Sequence, residues 1–433
     1  MKFKYLVIIV VLLFQASLSY SQESLRLSLM DARAYALEYN KTMKNSNFAI
    51  DKAQYALREA ISAGLPQINA SADYSNALGA KISIRFQEGM PAAEIDIKPQ
   101  SNLYLNVNQL LFSGNYIVGV QLATLSKEFS NLGLEKTELD VITAVSDAYY
   151  AVLITEEMLS ILEKNVENLQ DLYRKSEPMV HVGVIEQTDL DQLSVQLTSL
   201  LNVRSASERQ AELAKNLLRL QLGTSIDTEL ILLDTLEQLI EDSALENVLL
   251  NEFNPEGNID FRMIQQQETL TRKMVDMNKA NALPTLVAFY RYTHKLLKPD
   301  FDMSPPNMIG LQLNIPIFSS GQRYSQTQQA KVDLKTVENN KALVEDQLRI
   351  TERQMRFNFQ NALETFENQQ KNIEVSRRVY LNLKLKYGQG MLSSLDLINA
   401  DNNYLKAESD YINSMMQVLS TRLQLEKIYG TIY

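Results

Sequence analysis

Cysteine is absent from the 433-residue sequence. The chain can therefore form no disulfide bond and no thiolate metal site, and it offers no cysteine for amino-terminal lipid attachment. Only two histidines occur, His181 and His294, and neither belongs to a His-x-x-x-His or His-Cys pattern. We therefore expect no metal ion and no cofactor.

Signals of catalysis are also missing. No glycine-rich phosphate loop follows a strand pattern, and no Gly-x-Ser-x-Gly motif is present. Acidic pairs such as Asp189 and Asp191 lie two residues apart on a predicted helix, where side chains do not face each other. These absences predict a protein that is not an enzyme.

Charge and the amino terminus limit the possible partners and compartments. The formal net charge is −10, and an acidic chain lacks the Lys and Arg clusters that bind nucleic-acid phosphates, so no nucleic-acid partner is expected. Residues 1–21 have a basic start, an apolar run from Tyr5 to Phe14 and small residues before Gln22, which is typical of a signal peptide. This apolar run is shorter than the roughly 20 residues of a spanning helix. Export to the periplasm, the exterior or the outer membrane is predicted.

Glycine is scarce, with 14 residues, about 3% against a typical ~7%. Most glycines lie where periodic segments start or end, and the 66 residues from Gln322 to Tyr387 contain neither glycine nor proline. Within this segment apolar residues recur in alternating steps of four and three, the repeat of a coiled coil. Long helices are predicted over residues 115–175 and 322–387, spanning about 90 and 100 Å.

Two halves of the chain follow one plan. The matched pairs, 206 or 207 residues apart, are Phe112 and Phe318 (LLFSGN and PIFSSGQ), Asp189 and Asp396, and Gly223 and Gly430. Leu65 and Leu283, however, are 218 residues apart. The first copy therefore carries about a dozen extra residues between Pro66 and Phe112.

Each copy is predicted as a helix, a strand pair, a long helix, a tight turn and a shorter return helix. The first copy, residues 22–223, has its first helix at Leu29 to Ala63, strands at about 65–112, a turn at 178–187 and a return helix at 188–222. The second copy, residues 257–433, has its first helix at Ile259 to Ala282, strands at about 284–318, a turn at 388–392 and a return helix at 393–430. Residues 224–256 are predicted to link the copies as an equatorial belt. A return helix stacked on a first helix would match one long helix, which suggests a two-layer rod.

The strand segments alternate apolar and polar residues. The apolar members are Ile68, Ala70, Ala72 and Tyr74, then Leu103, Leu105 and Val107, then Leu286, Ala288, Tyr290 and Tyr292, then Ile309, Leu311, Leu313 and Ile315. Such alternation is typical of lipid-facing strands around a polar lumen, and also of a soluble sheet with one buried face. Four strands cannot close a barrel, because about eight is the practical minimum, and open edges are excluded from lipid. Lipid-facing strands would therefore require two or three chains. The polar, proline-containing loops at residues 79–101 and 295–307 suit an exterior surface.

The combined pattern resembles the TolC-type outer-membrane efflux protein family over about Leu25 to Tyr433. The resemblance rests on the duplicated Phe-Ser-(Ser)-Gly, the paired Leu-Pro at strand starts, the two turns and the opening LSLMDARAYALEYN. It implies an α+β membrane protein: a homotrimer with a 12-stranded outer-membrane β-barrel, four strands from each protomer, continued by a periplasmic α-helical coiled-coil barrel. It also implies the exit duct of a tripartite efflux or type I secretion system, with a periplasmic adaptor and an inner-membrane pump as partners.

The resemblance assigns roles at the two tip turns. Asp189, six residues after Gly183, matches an Asp that helps to hold a closed tip, and Asp396 matches a ring of aspartates at the narrowest point. Tyr387 matches a Tyr that bonds toward the neighbouring turn. Two positions depart from the family pattern: Leu392 replaces an Arg that ties the tip shut, and Asn399 replaces a second ring Asp. The residues assigned to tight turns and adaptor docking are Val182, Gly183, Val184, Gly388 and Gly390.

A periplasmic coiled-coil scaffold without a pore, or the adaptor itself, is the alternative interpretation. An adaptor would have one helical hairpin inserted in β-rich domains, whereas this chain has two hairpins and two strand pairs. A scaffold would need no lipid-facing alternation. The sequence thus favours the duct.

Overall fold

The computed structural model of the chain describes residues 24–85, 91–241, 247–250, 252–297 and 304–432. The predicted signal peptide lies outside the described residues, as do parts of the two predicted loops and of the linker. The chain divides into two compact units. Among the described residues, the first unit comprises those within 24–47, 134–260 and 345–432, and the second those within 48–133 and 261–344.

The elements follow in chain order. The helices are α1 (Leu29–Tyr39), α2 (Lys41–Ser62), α3 (Gly114–His181), α4 (Gln187–Leu222), α5 (Leu236–Glu241), α6 (Ile259–Ala280), α7 (Gln322–Gly388) and α8 (Ser394–Tyr429). The strands are β1 (Leu25–Leu27), β2 (Gln67–Ser75), β3 (Lys81–Ile84), β4 (Ala93–Asp96), β5 (Gln100–Ser113), β6 (Leu230–Leu232), β7 (Thr285–Leu297) and β8 (Asn307–Asn314). Over the described ranges, no helix has both the length and the apolar character needed to cross a membrane.

The core of the first unit consists of apolar side chains from the long and return helices. One buried cluster joins Leu162, Val166 and Leu169 of α3 to Leu193 and Leu200 of α4 and Ile398 of α8. Another joins Phe359 and Ala362 of α7 to Val418 and Leu425 of α8, with Val248 beside them. The apolar repeat of the long helices therefore forms a packed seam, as a 3.5-residue spacing predicts.

The helix predicted from Leu29 to Ala63 is wrong in one respect, because it breaks at Asn40. The backbone of Asn40 has φ −58° and ψ 135°, outside the helical region. Its side-chain Nδ2 donates to the carbonyl of Gln221, and its Oδ1 accepts from the backbone amide of Thr42 at 2.6 Å. Asn40 thus ends α1 and caps α2. Apolar periodicity does not reveal such a break between two helices.

Asn258 repeats this arrangement in the second copy. Its side-chain amide donates to the carbonyl of Ile428 at 3.0 Å, and its Oδ1 accepts from the amide of Asp260 at 2.9 Å. Helix α6, which begins at the next residue, has 22 residues, and so has α2. The counterpart of α6 is therefore α2 alone. The position of α1 is taken in the second copy by short 3-10 helices at Asn247–Leu250 and Pro255–Gly257.

The first turn is shorter than the sequence predicts, and the second is shifted by one residue. Helix α3 continues through Pro178 to His181, although proline lacks the amide donor for the carbonyl four residues earlier and its ring crowds that carbonyl. The first turn therefore occupies residues 182–186 rather than 178–187. Helix α7 includes Gly388, and the second turn occupies residues 389–393.

Short strands appear where the sequence predicts loop or linker. Strands β3 and β4 form a hairpin within the predicted loop at residues 79–101, with Ile82 opposite Ile95. This hairpin accounts for part of the extra length of the first copy. Strand β6 of the predicted linker pairs in parallel with β1, Leu25 opposite Leu230. Strands of three or four residues are too short to show alternation.

The second unit contains an antiparallel sheet in the order β2-β5-β7-β8. Residues directly opposite each other in such a sheet share a face. The register places on one face Ile68, Ala70, Ala72 and Tyr74 of β2, Leu103, Leu105 and Val107 of β5, Leu286, Ala288, Tyr290 and Tyr292 of β7, and Ile309, Leu311 and Leu313 of β8. Ser101, His294 and Asn307 interrupt this face at one end, and Gln109, opposite Ala288, interrupts it further along β5. The opposite face carries polar residues such as Asn69, Ser71, Asn106 and Gln312.

Candidate gate and docking turns

Asp189 holds two parts of the first unit together. Its carboxylate accepts from the backbone amide of Glu186 at 3.3 Å, which closes a capping box at the start of α4. The other oxygen accepts from the backbone amide of Ser394 at 3.3 Å and from the Ser394 hydroxyl. Asp189 therefore bonds to the amino terminus of α8, where the positive end of the helix dipole favours a carboxylate.

Ser394 was not singled out by the sequence, although it is the centre of this contact. It is fully buried at 0% exposure, and its hydroxyl lies 3.0 Å from Oε1 of Gln192. Two consecutive serines precede the apolar run of α8, and Ser393 takes the N-cap position. The paired hydroxyls at a helix start are the only sequence signal of a second bonded serine.

Tyr387 is buried and lies close to the end of α7. Its hydroxyl lies 3.0 Å from the hydroxyl of Ser176 on α3, and Ser176 is also fully buried. Burial raises the pKa of the Tyr387 hydroxyl, against the lowering effect of the Ser176 hydrogen bond. Tyr387 packs with Tyr380 and Leu397, and Leu392 contacts this cluster from the turn. Leu392 thus makes apolar contacts at this turn.

Asp396 lies on the exposed surface of the first turn of α8. Its carboxylate accepts from the Ser393 hydroxyl at 2.7 Å, and its backbone amide donates back to the same hydroxyl at 3.2 Å. Asn399, one turn further along α8, is also exposed. Both residues line one groove between α7 and α8, with Lys406 further along it.

The two turns lie side by side. Gly183 and Gly390 have φ of 72° and 71°, a region that favours glycine. A Cβ on Gly390 would lie 3.5 Å from a methyl group of Val184, and Val182 on the same turn is 75% exposed. Gly388 is the last residue of α7 and has no positive φ, so the turn does not require glycine there, contrary to the expectation.

Comparison with known proteins agrees with this architecture. The model of the outer membrane efflux protein family matches residues 33–224 and 256–431. Outer membrane protein TolC of Salmonella enteritidis is 23% identical over 417 residues, which cover 94% of this chain and 82% of the relative. The CmeC outer membrane channel of Campylobacter jejuni aligns with a TM-score of 0.73 and 18% identity over 93% of this chain and 85% of that chain. VceC, an outer membrane protein of Vibrio cholerae, aligns with a TM-score of 0.73 and 15% identity over 93% and 96% of the two chains.

The chain belongs to the outer membrane efflux protein family. The resemblance inferred from the sequence is thereby confirmed, and so is the two-copy, largely helical plan. Membership places the chain in the cell outer membrane, with its helical part in the periplasm. The family is one of efflux channels and not of enzymes.

Proposed function

We propose that this chain is the exit duct of a tripartite efflux or type I secretion system. Three copies close a 12-stranded barrel in the outer membrane and continue it as a periplasmic α-helical barrel. The duct passively conducts substrates that an inner-membrane pump and a periplasmic adaptor deliver. One observation carries the proposal: a four-stranded sheet with an exposed apolar face and two outer strands.

The apolar face of this sheet is open in the single chain. Ile309 is 83% exposed and Leu311 68%, and Ile68 is 67% exposed at the other edge. An apolar face of this size on a water-soluble chain would bind other surfaces or aggregate. Lipid hydrocarbon would cover this apolar face in the membrane and so prevent such association. The polar face on the other side of the sheet suits an aqueous lumen.

The edges of the sheet determine how copies can join. In the part of the chain that the structure describes, β2 and β8 each pair on one side only. Each strand runs opposite to its neighbour, so β8 runs opposite to β2. Because the number of strands is even, β8 of one copy can pair antiparallel with β2 of the next. Rotational closure thus leaves no backbone edge exposed to lipid.

Engineered cysteines test closure and copy number together. The chain has no native cysteine, so Ser71→Cys on β2 can be combined in turn with Met308→Cys, Gly310→Cys or Gln312→Cys on β8. We expect oxidation of one pair in outer membranes to yield a covalent ring of three chains, and Ser71→Cys alone to give none. A ring of two chains would contradict the trimer. A water-soluble monomer after extraction would favour the pore-free scaffold instead.

At the tip, we assign Asp396 to a cation-attracting ring. Three copies would bring three exposed carboxylates around one axis, and like charges at close range attract counter-cations. Block of single channels by a trivalent cation should weaken in Asp396→Ala, whereas Asp410→Ala, further along the same helix, should keep it. Equal block in all three proteins would contradict the ring.

Leu392 affects how the tip is held shut. With no guanidinium at this position, the closed tip depends on the Asp189–Ser394 contact and on apolar packing around Tyr387. Leu392→Arg should lower the resting conductance, with Leu392→Met as the size-matched control. Unchanged conductance in Leu392→Arg would show that this link is not limiting.

The exposed turns are the proposed docking surface for the adaptor. Val182 and Val184 are exposed apolar residues beside two turn glycines, which allow close approach of another backbone. A photo-crosslinking residue at Val182 should label an adaptor in living cells. The same residue at exposed Val195 on α4 should not, and equal labelling from both would contradict the assignment.

A further inference from the structure

A cavity of about 310 Å³ lies in the first unit, away from the two turns. Helices α3, α7 and α8 supply most of its walls, and α5 adds Glu237. The polar and aromatic lining residues that matter below are Asn165, Asp401, Glu408, Tyr380, Tyr404 and Tyr411. None of them belongs to the gate and docking residues of the two turns.

Two buried polar side chains, one of them without a hydrogen-bond partner, line this cavity. Asn165 and Asp401 are each 6% exposed. Among the described residues, the side chain of Asn165 has no hydrogen-bond partner, whereas Asp401 interacts with the Tyr380 hydroxyl and with the charge of the Lys384 ammonium. A buried amide without a partner costs free energy, and so does a buried carboxylate whose charge is only partly compensated. A polar occupant in the cavity would remove that cost.

The charges around the cavity favour a cation. Its lining holds four carboxylates and one ammonium group, from Glu157, Glu237, Asp401, Glu408 and Lys164. Burial raises the pKa of Asp401 to about 6, against the lowering effects of the Lys384 ammonium and the Tyr380 hydroxyl. The carboxyl is therefore mainly ionised at neutral pH.

The aromatic rings favour an organic cation over a metal ion. Tyr380 and Tyr404 stack with centroids 5.5 Å apart, and the Lys384 ammonium lies 5.6 Å from the centroid of Tyr380. The wall thus already binds one protein cation through a ring face. Among the described residues, no three His, Cys, Asp or Glu side chains lie close enough together to hold a metal ion. Ring faces beside a carboxylate form the kind of site that takes quaternary or primary ammonium groups.

We propose that this cavity is a binding site for small organic ammonium ions. The Asp401 carboxylate neutralises the cation, the rings of Tyr404 and Tyr411 contact its apolar substituents, and Asn165 bonds a polar substituent or a bridging water. Because Asn165, Tyr380 and Asp401 come from α3, α7 and α8, an occupant bridges three helices. It therefore stabilises their packing.

Calorimetric titration of the full-length protein in a neutral detergent at pH 7.5 tests the site. The probe is benzyltrimethylammonium, and benzenesulfonate is the probe of opposite charge. We expect saturable binding of benzyltrimethylammonium, a higher midpoint of thermal unfolding in its presence, and no binding of benzenesulfonate. Asp401→Asn should weaken binding at least about tenfold, a loss of about 1.4 kcal/mol.

The controls separate this site from general surface attraction. Asp410→Asn removes the same charge from α8 outside the cavity and should leave the affinity unchanged. Tyr404→Leu should weaken binding about fivefold while retaining every charge. No saturable binding to the wild type, or equal losses in Asp401→Asn and Asp410→Asn, would overturn the proposal. Neither outcome depends on whether the protein conducts cargo, so failure here is distinguishable from failure of the duct.

Discussion

The two return helices occupy equivalent places in the two copies, yet they are held differently. On α4, Leu197 and Leu201 pack against the buried apolar cluster of α3. The positions 207 residues later on α8 are Tyr404 and Glu408, which line a polar cavity. One helical hairpin plan thus tolerates an apolar core in one copy and a polar cavity in the other. Duplication conserved the backbone arrangement but not the chemistry of the packing.

The first turns of α4 and α8 also differ, here in their hydrogen-bond partners. Asp189 and Asp396 both bond to the N-cap residue of their own helix, but only Asp189 also reaches the other copy, through Ser394. Gln187, the equivalent of Ser394, is exposed and bonds Asp191 within its own helix at 2.9 Å. Within one chain, the contact from a helix-start aspartate to the other copy is therefore made in one direction only.

The largest expected effect concerns the polar cavity. The folded-state pKa of Asp401, about 6, lies above the roughly 3.9 of an unfolded Asp. As pH rises from about 4 to 6, the unfolded chain releases this proton first, so the folded state is destabilised by up to about 3 kcal/mol. Without added cation, Asp401→Asn should therefore raise the denaturation midpoint at pH 8 and leave it unchanged at pH 4. Asp410→Asn is the control, and an equal midpoint at both pH values in Asp401→Asn and wild type would contradict this account.

The next largest effect on stability concerns the different contacts at the starts of α4 and α8. Ser394→Ala removes a buried hydrogen bond to a carboxylate and should cost about 2 kcal/mol. Gln187→Ala, at the equivalent exposed position, should change stability by less than about 0.5 kcal/mol. Denaturant unfolding of both variants measures this. Similar losses would show that the contact through Ser394 is not special to one copy.

A smaller loss is expected at the buried hydroxyl pair. Tyr387→Phe leaves the Ser176 hydroxyl unpaired and should cost about 1–2 kcal/mol. The equivalent position in the first copy is Val180, which has no hydroxyl to lose. In a double-mutant cycle, adding Ser176→Ala to Tyr387→Phe should cost little more. Fully additive losses would show that the two hydroxyls act independently.

The smallest effect concerns the feature that the copies share. Asn40→Ala and Asn258→Ala each remove one helix cap and one bond to a return helix, and each should cost about 1 kcal/mol. Thermal unfolding of the two variants gives the comparison. A loss at one position that greatly exceeds the other would break the equivalence of α2 and α6.

Particular residues show which features the sequence predicted and which it did not. Matched pairs such as Phe112 and Phe318 predicted two copies, and alternation predicted the apolar sheet face. The break at Asn40 was missed, because its cause is a carbonyl of Gln221, about 180 residues away. Ser394 was missed for the same reason, since its partner Asp189 lies in the other copy. The roles of Asp189, Asp396, Asn399 and Leu392 at the gate stay predictions.

Residue patterns and repeats depend only on the order of residues along the chain. The sequence by itself therefore determined the family, the long helices and the order of elements. A helix without glycine or proline needs no distant partner to be predicted, and a period of two or 3.5 residues is visible within one segment. Register, the partner of each buried hydroxyl and the polar cavity around Asp401 depend on which distant segments meet. Only the tertiary structure decided these, because burial and hydrogen bonding are properties of juxtaposed segments and not of one segment alone.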